Sequence, residues 1–87
     1  MSDELAWIAD RPGWELVDQV ATYRPEAGAW CAHIRPAKVA ARSYERWHVS
    51  IVECARDLCR YALKASTVAE ATRVTEGHVR GLNLRMP

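Results

Sequence analysis

The chain divides into two parts with different hydrophobic patterns. Up to residue 36, Gly and Pro interrupt short segments that are rich in aromatic and β-branched residues, whereas residues 37–76 contain no Gly, Pro or Asn. This division predicts strands and turns in the first part and longer regular elements in the second.

Two segments of the first part have the pattern of a β-hairpin. They cover Trp14 to Tyr23 and Ala29 to Arg35, and the intervening RPEAG carries Pro at its second position, as turns often do. Alternation along the second segment places three apolar side chains on one face: Trp30, Ala32 and Ile34. For residues 1–11 we expect a short helix or an arm held by Trp7.

Residues 36–65 have the pattern of one long amphipathic helix. At about 100° per residue, the charged side chains from Lys38 to Lys64 fall within an arc of roughly 120°, and apolar residues occupy the opposite face. Pro36 suits a first helical position. Val49 is the only large apolar residue that this helix would place well inside its polar arc.

The same residues also fit two strands. Trp47, Val49 and Ile51 alternate with polar neighbours, and residues 59–64 alternate in the same way. Two strands would require a turn near residues 54–58, where Asp57 is the only residue that favours one. We therefore keep a four-stranded antiparallel meander with one C-terminal helix as the alternative to the long helix.

A new helix is predicted after Ala65. Thr67 and Glu70 have the spacing of a capping box. The apolar and small residues that follow share one helical face: Val68, Ala71, Thr75, Val79 and Leu82. The segment either continues unbroken to Leu82 or turns at residues 73–75. The predicted fold is a single α+β domain over residues 1–87, with a hairpin, a long helix and one or two short C-terminal helices.

Composition limits the classes of function. Eighty-seven residues form one domain. The net charge of +1 is unevenly distributed, because residues 1–26 hold six acidic and two basic side chains and residues 27–87 hold five acidic and ten basic ones. We find no secretory signal and no apolar run long enough for a membrane span, so we expect a cytoplasmic protein with no membrane partner.

Neither catalytic residues nor cofactor or metal ligands are predicted. Common phosphate-binding, hydrolase and zinc motifs do not occur. The three cysteines do not have metal-ligand spacing, and Cys54 and Cys59 are interpreted as small buried hydrophobic residues. The large aromatic residues Trp14, Trp30 and Trp47 are expected in the core.

The segment from Thr67 to Leu82, TVAEATRVTEGHVRGL, resembles the helix-turn-helix of bacterial and phage regulators and of sigma factors. Val74 stands at the apolar turn position, Thr75 at the cap of the second helix, and Val79 and Leu82 on its buried face. Arg73 departs from the family, which generally has Gly there.

This resemblance implies a small regulator that binds double-stranded DNA. Glu76, His78 and Arg80 would face the bases, whereas Arg73, Arg85 and Lys64 would contact phosphates. Regulators of this kind usually bind as dimers, so we expect a homodimer whose interface is supplied by the Trp-containing strands or the long helix.

The whole chain also resembles, more loosely, small phage and mobile-element proteins such as the anti-CRISPR proteins. The similarity rests on Trp30, Trp47 and the segment Thr67-Val68-Ala69-Glu70-Ala71. It implies an alternative function, in which the protein inhibits a host protein through an exposed surface of Trp, Tyr and Arg residues.

Overall fold

The computed structural model describes residues 3–25, 28–37 and 46–85. Within these ranges the α+β class is confirmed, with one five-stranded sheet and one long helix. The elements are α1 Asp3–Ala6, a 3₁₀ helix Trp7–Asp10, β1 Trp14–Val17, β2 Val20–Tyr23, β3 Trp30–Pro36, β4 Trp47–Glu53, β5 Leu58–Ala65 and α2 Val68–Arg85.

The five strands form an antiparallel meander in the order β1-β2-β3-β4-β5. Helix α2 contacts β3, β4 and β5. The core lies between α2, the N-terminal segment and one face of the sheet, where Ile34, Ile51 and Val79 are fully buried. The other face of the sheet has no helix of the described residues against it, and we call it the open face.

The prediction of a single strand over residues 14–23 is wrong. Residues 14–23 form two strands, β1 and β2, whose register pairs Val17 with Val20 across a two-residue turn. Asp18 adopts a φ of 57° in this turn. Asp tolerates the left-handed region better than most residues, so the turn needs neither Gly nor Pro and leaves the run of apolar residues almost uninterrupted.

The long helix over residues 36–65 is also wrong, and the strand alternative is confirmed for the described part of this segment. Residues 47–53 and 58–65 form β4 and β5, and residues 38–45 lie outside the described residues. Val49, which the helix would have exposed, is only 1% exposed because it faces α2. The connecting turn again uses an Asp at positive φ, Asp57 at 50°.

The C-terminal segment is one continuous helix of 18 residues, so the prediction of one or two short helices is wrong and the unbroken alternative is confirmed. No turn interrupts α2 at residues 73–75. The Thr67 hydroxyl accepts a hydrogen bond from the Glu70 N–H at 3.1 Å, as a helix cap does. All five residues of the predicted apolar face are buried. Among the described helices, none combines the length and the apolar character that a membrane span requires.

The predicted core tryptophans are confirmed and the predicted cysteine environment is partly wrong. Trp14, Trp30 and Trp47 are buried. Cys59, by contrast, is exposed and Cys54 is half-buried, because both lie in or beside the turn that the long helix would not have contained.

The N-terminal segment is helical, as one alternative predicted. Leu5 and Ile8 anchor it in the core, whereas Trp7 is 50% exposed. The Arg11 guanidinium lies 5.2 Å from the centre of the Trp7 ring, a cation–π distance.

Candidate functional site

Four of the predicted DNA-contacting residues are exposed on α2. They are Arg73, His78, Arg80 and Arg85. At about 100° per residue, Arg73 and Arg80 lie on one flank of the helix, and His78 and Arg85 lie on the other flank roughly 140° away. The exposed Gly77 lies between the two flanks. The basic residues therefore border α2 on both sides instead of forming a single row.

Glu76 does not face solvent as a base-reading residue would. Its carboxylate accepts hydrogen bonds from Arg11 Nη2 at 3.0 and 3.1 Å and from Trp14 Nε1 at 2.8 Å. Burial by itself would raise the pKa of Glu76, but the hydrogen bonds from Arg11 and Trp14 outweigh it, and the pKa is lowered. Glu76 thus ties β1 and the N-terminal segment to the middle of α2.

Arg80 and Lys64 differ in their surroundings, and of the two only Lys64 lies away from α2. The interaction of Arg80 with the Tyr23 side chain raises the pKa of Arg80 above its ordinary value. Lys64 pairs with His48 on the open face, on the side of the sheet opposite α2. The structure therefore does not bring the six predicted residues together on one surface.

The open face carries a row of basic residues. Arg35, His48 and Lys64 lie opposite one another on β3, β4 and β5. In the next row, His33 Nδ1 lies 2.9 Å from the Thr22 hydroxyl. Burial, together with the charges of Arg35 and Arg24, lowers the pKa of His33, so its ring is neutral at pH 7.

Cys31, on the open face, does not have the low thiol pKa of a reactive cysteine. Burial and the hydrogen bond with Cys54 raise the pKa of the Cys31 thiol from 9.0 to about 11, so the thiolate is scarce at neutral pH. In the part of the chain that the structure describes, no group of three or more His, Cys, Asp or Glu side chains is placed to hold a metal ion.

Strand β5 presents a surface of which sequence reasoning singled out only Lys64. Only Ala65 of its eight residues is buried. Leu58 and Tyr61 are 44% and 46% exposed, and between them stands the exposed Arg60. We call Leu58, Arg60, Tyr61 and Lys64 the β5 surface. The available signal was the apolar residues Leu58 and Tyr61, but the helical interpretation assigned Leu58 to the core.

The β5 surface is connected to the core and to the end of α2. The Tyr61 ring lies 6.1 Å from that of Trp30, which is buried. The Trp30 backbone N–H donates to Asn83 Oδ1 at 3.0 Å. The last turn of α2 and the exposed part of β5 therefore lie at the same end of the sheet, where Leu84 is also exposed.

Comparison of the chain with protein-family models, with characterised proteins and with solved structures found no match.

Proposed function

We propose that the protein is a non-enzymatic binding protein whose β5 surface docks onto another protein. The observation that carries this proposal is the exposure of Leu58 and Tyr61 on the last strand of the sheet, next to Arg60. The proposal corresponds to the expected host-protein inhibitor, with the contact surface now assigned to Tyr, Arg and Leu residues.

The residue types of the β5 surface, and the packing of Tyr61 beneath it, favour docking of a partner protein. Tyr and Arg are enriched among the residues that dominate binding energies at protein interfaces. Because Tyr61 already contacts the buried Trp30, its ring is partly ordered before binding, and less side-chain entropy is lost when a partner covers it. The exposed tryptophan, Trp7, lies beside Arg11 on the N-terminal segment and is not needed for this surface.

The test is site-specific photo-crosslinking in cells that carry the gene. A photoreactive amino acid is introduced at Leu58 and, as a matched control, at Val17, which is 57% exposed on β1. We expect one discrete crosslinked species from position 58 and none from position 17, because only the β5 surface contacts the partner.

Competition shows whether such a species is specific. Excess unlabelled wild-type protein is expected to remove the crosslink, whereas the Leu58→Ser/Tyr61→Ser variant is not. Identical products from positions 58 and 17, or equal competition by the variant, would overturn the proposal.

A second candidate function is the binding of double-stranded DNA through α2. Its support is the arrangement of Arg73 and Arg80 on one flank, His78 and Arg85 on the other, and Gly77 between them. A helix in a major groove has phosphates on both sides, and small residues allow a close approach.

Fluorescence anisotropy with a labelled duplex at low and moderate salt tests this candidate. We expect affinity to fall steeply as salt rises and to fall further in Arg73→Ala/Arg80→Ala, because each lost phosphate contact weakens binding. Absence of duplex binding by the wild-type protein at low salt would contradict this candidate function.

A further inference from the structure

Among the described strands β5 is the last of the sheet, and no described strand pairs with its outer edge. In the sheet order β1-β2-β3-β4-β5 its described neighbour is β4 alone. Alternate backbone N–H and C=O groups of a terminal strand point away from the sheet and form a template for another strand.

The template is regular over most of its length. The single irregularity in the pairing of β5 with β4 is a bulge, where Ile51 pairs with Tyr61 and Val52 with Cys59, leaving Arg60 as the extra residue. From Tyr61 to Ala65 each residue pairs with β4 in an uninterrupted register. This stretch contains no Pro or Gly, which would interrupt hydrogen bonding to an added strand.

The charge of β5 indicates which kind of strand can pair with its outer edge. Residues 58–65 contain two cations, Arg60 and Lys64, and no acidic residue. Two copies paired along β5 would therefore bring four cations to one edge with no acid from either strand. Like charges on paired strands are destabilising, whereas opposite charges stabilise the pair.

We infer that β5 accepts an acidic extended segment of a partner protein, which adds to the sheet as a sixth strand. This inference rests on the proposed function and names the chemistry of the partner. Backbone hydrogen bonds would supply affinity, and the side chains that flank the added strand would supply specificity.

The two faces of β5 also define the pattern of the segment. Lys64 and Ala62 lie on the open face, whereas Tyr61 and Leu63 lie on the face that α2 covers in part. Because successive side chains of a strand alternate between faces, the segment has acidic residues at every second position and apolar residues between them.

The experiment uses ¹⁵N-labelled full-length protein and a short blocked peptide in which Glu alternates with Val. A second peptide has Lys in place of Glu, and a third has the acidic sequence with an N-methyl group on every backbone amide, so that neither of its edges can donate to β5. Titrations are followed by the amide chemical shifts of the protein. We expect the acidic peptide to shift the amides of β5, and the Lys and N-methylated peptides to bind at least roughly tenfold more weakly.

Protein variants locate the site. Arg60→Glu and Lys64→Glu are expected to weaken binding of the acidic peptide by roughly tenfold or more, whereas Arg73→Glu, the same charge change on α2, is expected to leave it unchanged. All three side chains are exposed, so the variants keep the fold, which the unperturbed amide spectrum verifies.

Several outcomes would overturn the inference. They are equal binding of the Lys peptide, equal binding of the N-methylated peptide, shifts confined to β1 or α2, and absence of any binding. If crosslinking from position 58 is specific but none of the peptides shifts β5, the protein-binding function stands and strand addition is wrong. If the acidic peptide adds to β5 but position 58 gives no specific crosslink, the strand site stands and the wider β5 surface does not.

Discussion

The two edges of the sheet differ in how they are held. At one edge, β1 has four residues, contacts the 3₁₀ helix, and is tied through the Trp14 indole to Glu76 on α2. At the other edge, β5 has eight residues, of which only the last is buried. The turn before β5 holds an ion pair between Arg56 and Glu53, which are three residues apart.

This difference indicates that the β1 edge stabilises the fold, whereas the β5 edge is accessible to a partner. The bonds of Glu76 join residues that are 62 and 65 positions apart in the chain, and so they close the domain. A terminal strand of this length with exposed apolar side chains is a liability unless something pairs with it.

Glu76→Ala is the change expected to have the largest effect on stability. It leaves the half-buried Arg11 and the buried Trp14 indole without their acceptor, and it should lower the free energy of unfolding by about 2 to 3 kcal/mol. The matched change at the other edge, Glu53→Ala, removes a bond to the exposed Arg56 and should cost less than about 1 kcal/mol. Urea denaturation measures both, and equal losses would contradict the comparison.

Gly28→Ala tests the end of α2 that lies beside β5. Gly28 has a φ of 120°, and a Cβ there would collide with the side-chain amide of Asn83, which accepts the Trp30 N–H bond. We expect a loss of roughly 1 to 3 kcal/mol in the free energy of unfolding.

The matched control for Gly28 is Gly77→Ala. A Cβ at Gly77 meets nothing within 4 Å, and the residue lies inside α2, so this change should stabilise the protein by up to about 1 kcal/mol. Thermal denaturation of both variants provides the measurement. A stabilised Gly28→Ala protein would show that Asn83 does not hold this loop.

The pH dependence of the free energy of unfolding also tests the Glu76 contact, and its expected effect is smaller than that of the substitutions above. The pKa of Glu76 is lowered in the folded protein from 4.5. A lowered carboxyl pKa contributes stability that is fully present above about pH 4.5 and is lost as the pH falls through the folded value. Glu76→Gln should therefore lose less stability than the wild-type protein between about pH 5 and the acid limit of folding. Parallel pH profiles of the two proteins would show that the contact is not ionic.

Removal of the β5 cations should increase self-association. Of the changes considered, it should alter the free energy of unfolding least. We expect Arg60→Ser/Lys64→Ser to dimerise or aggregate more than the wild-type protein, because the edge keeps its apolar residues and loses its repulsion. Arg73→Ser/Arg80→Ser removes the same charge from α2 and should not. Sedimentation velocity distinguishes these results, and equal behaviour of the two variants would show that β5 charge does not keep copies apart.

Features set by residues close in sequence could be predicted. The Thr67 cap and the buried face of α2 depend on spacings of three and four residues, and both are confirmed. The two turns were harder to predict from the sequence, because Asp18 and Asp57 supply the positive φ that Gly or Asn usually provides. Without a Gly signal, one strand was predicted in place of β1 and β2, and one helix in place of β4 and β5.

Charge periodicity favoured the wrong secondary structure between residues 46 and 65. An arc of charges fits a helix, but it left Val49 in a polar position, and in the sheet Val49 is buried on the face that α2 covers. Contacts across the whole chain, such as that of Glu76 with Arg11, have no local signal, and so the sequence suggested a base-reading role for a side chain that closes the domain.

The most direct test of the account is residue-by-residue amide hydrogen exchange, free and with the acidic peptide. In the free protein, the amides of β5 that point away from β4 are expected to exchange quickly, and the peptide should slow them while leaving β1 and α2 unchanged. Slowed exchange in β1 or α2, or no slowing in β5, would contradict the claim that β5 is the edge of the sheet that accepts a partner.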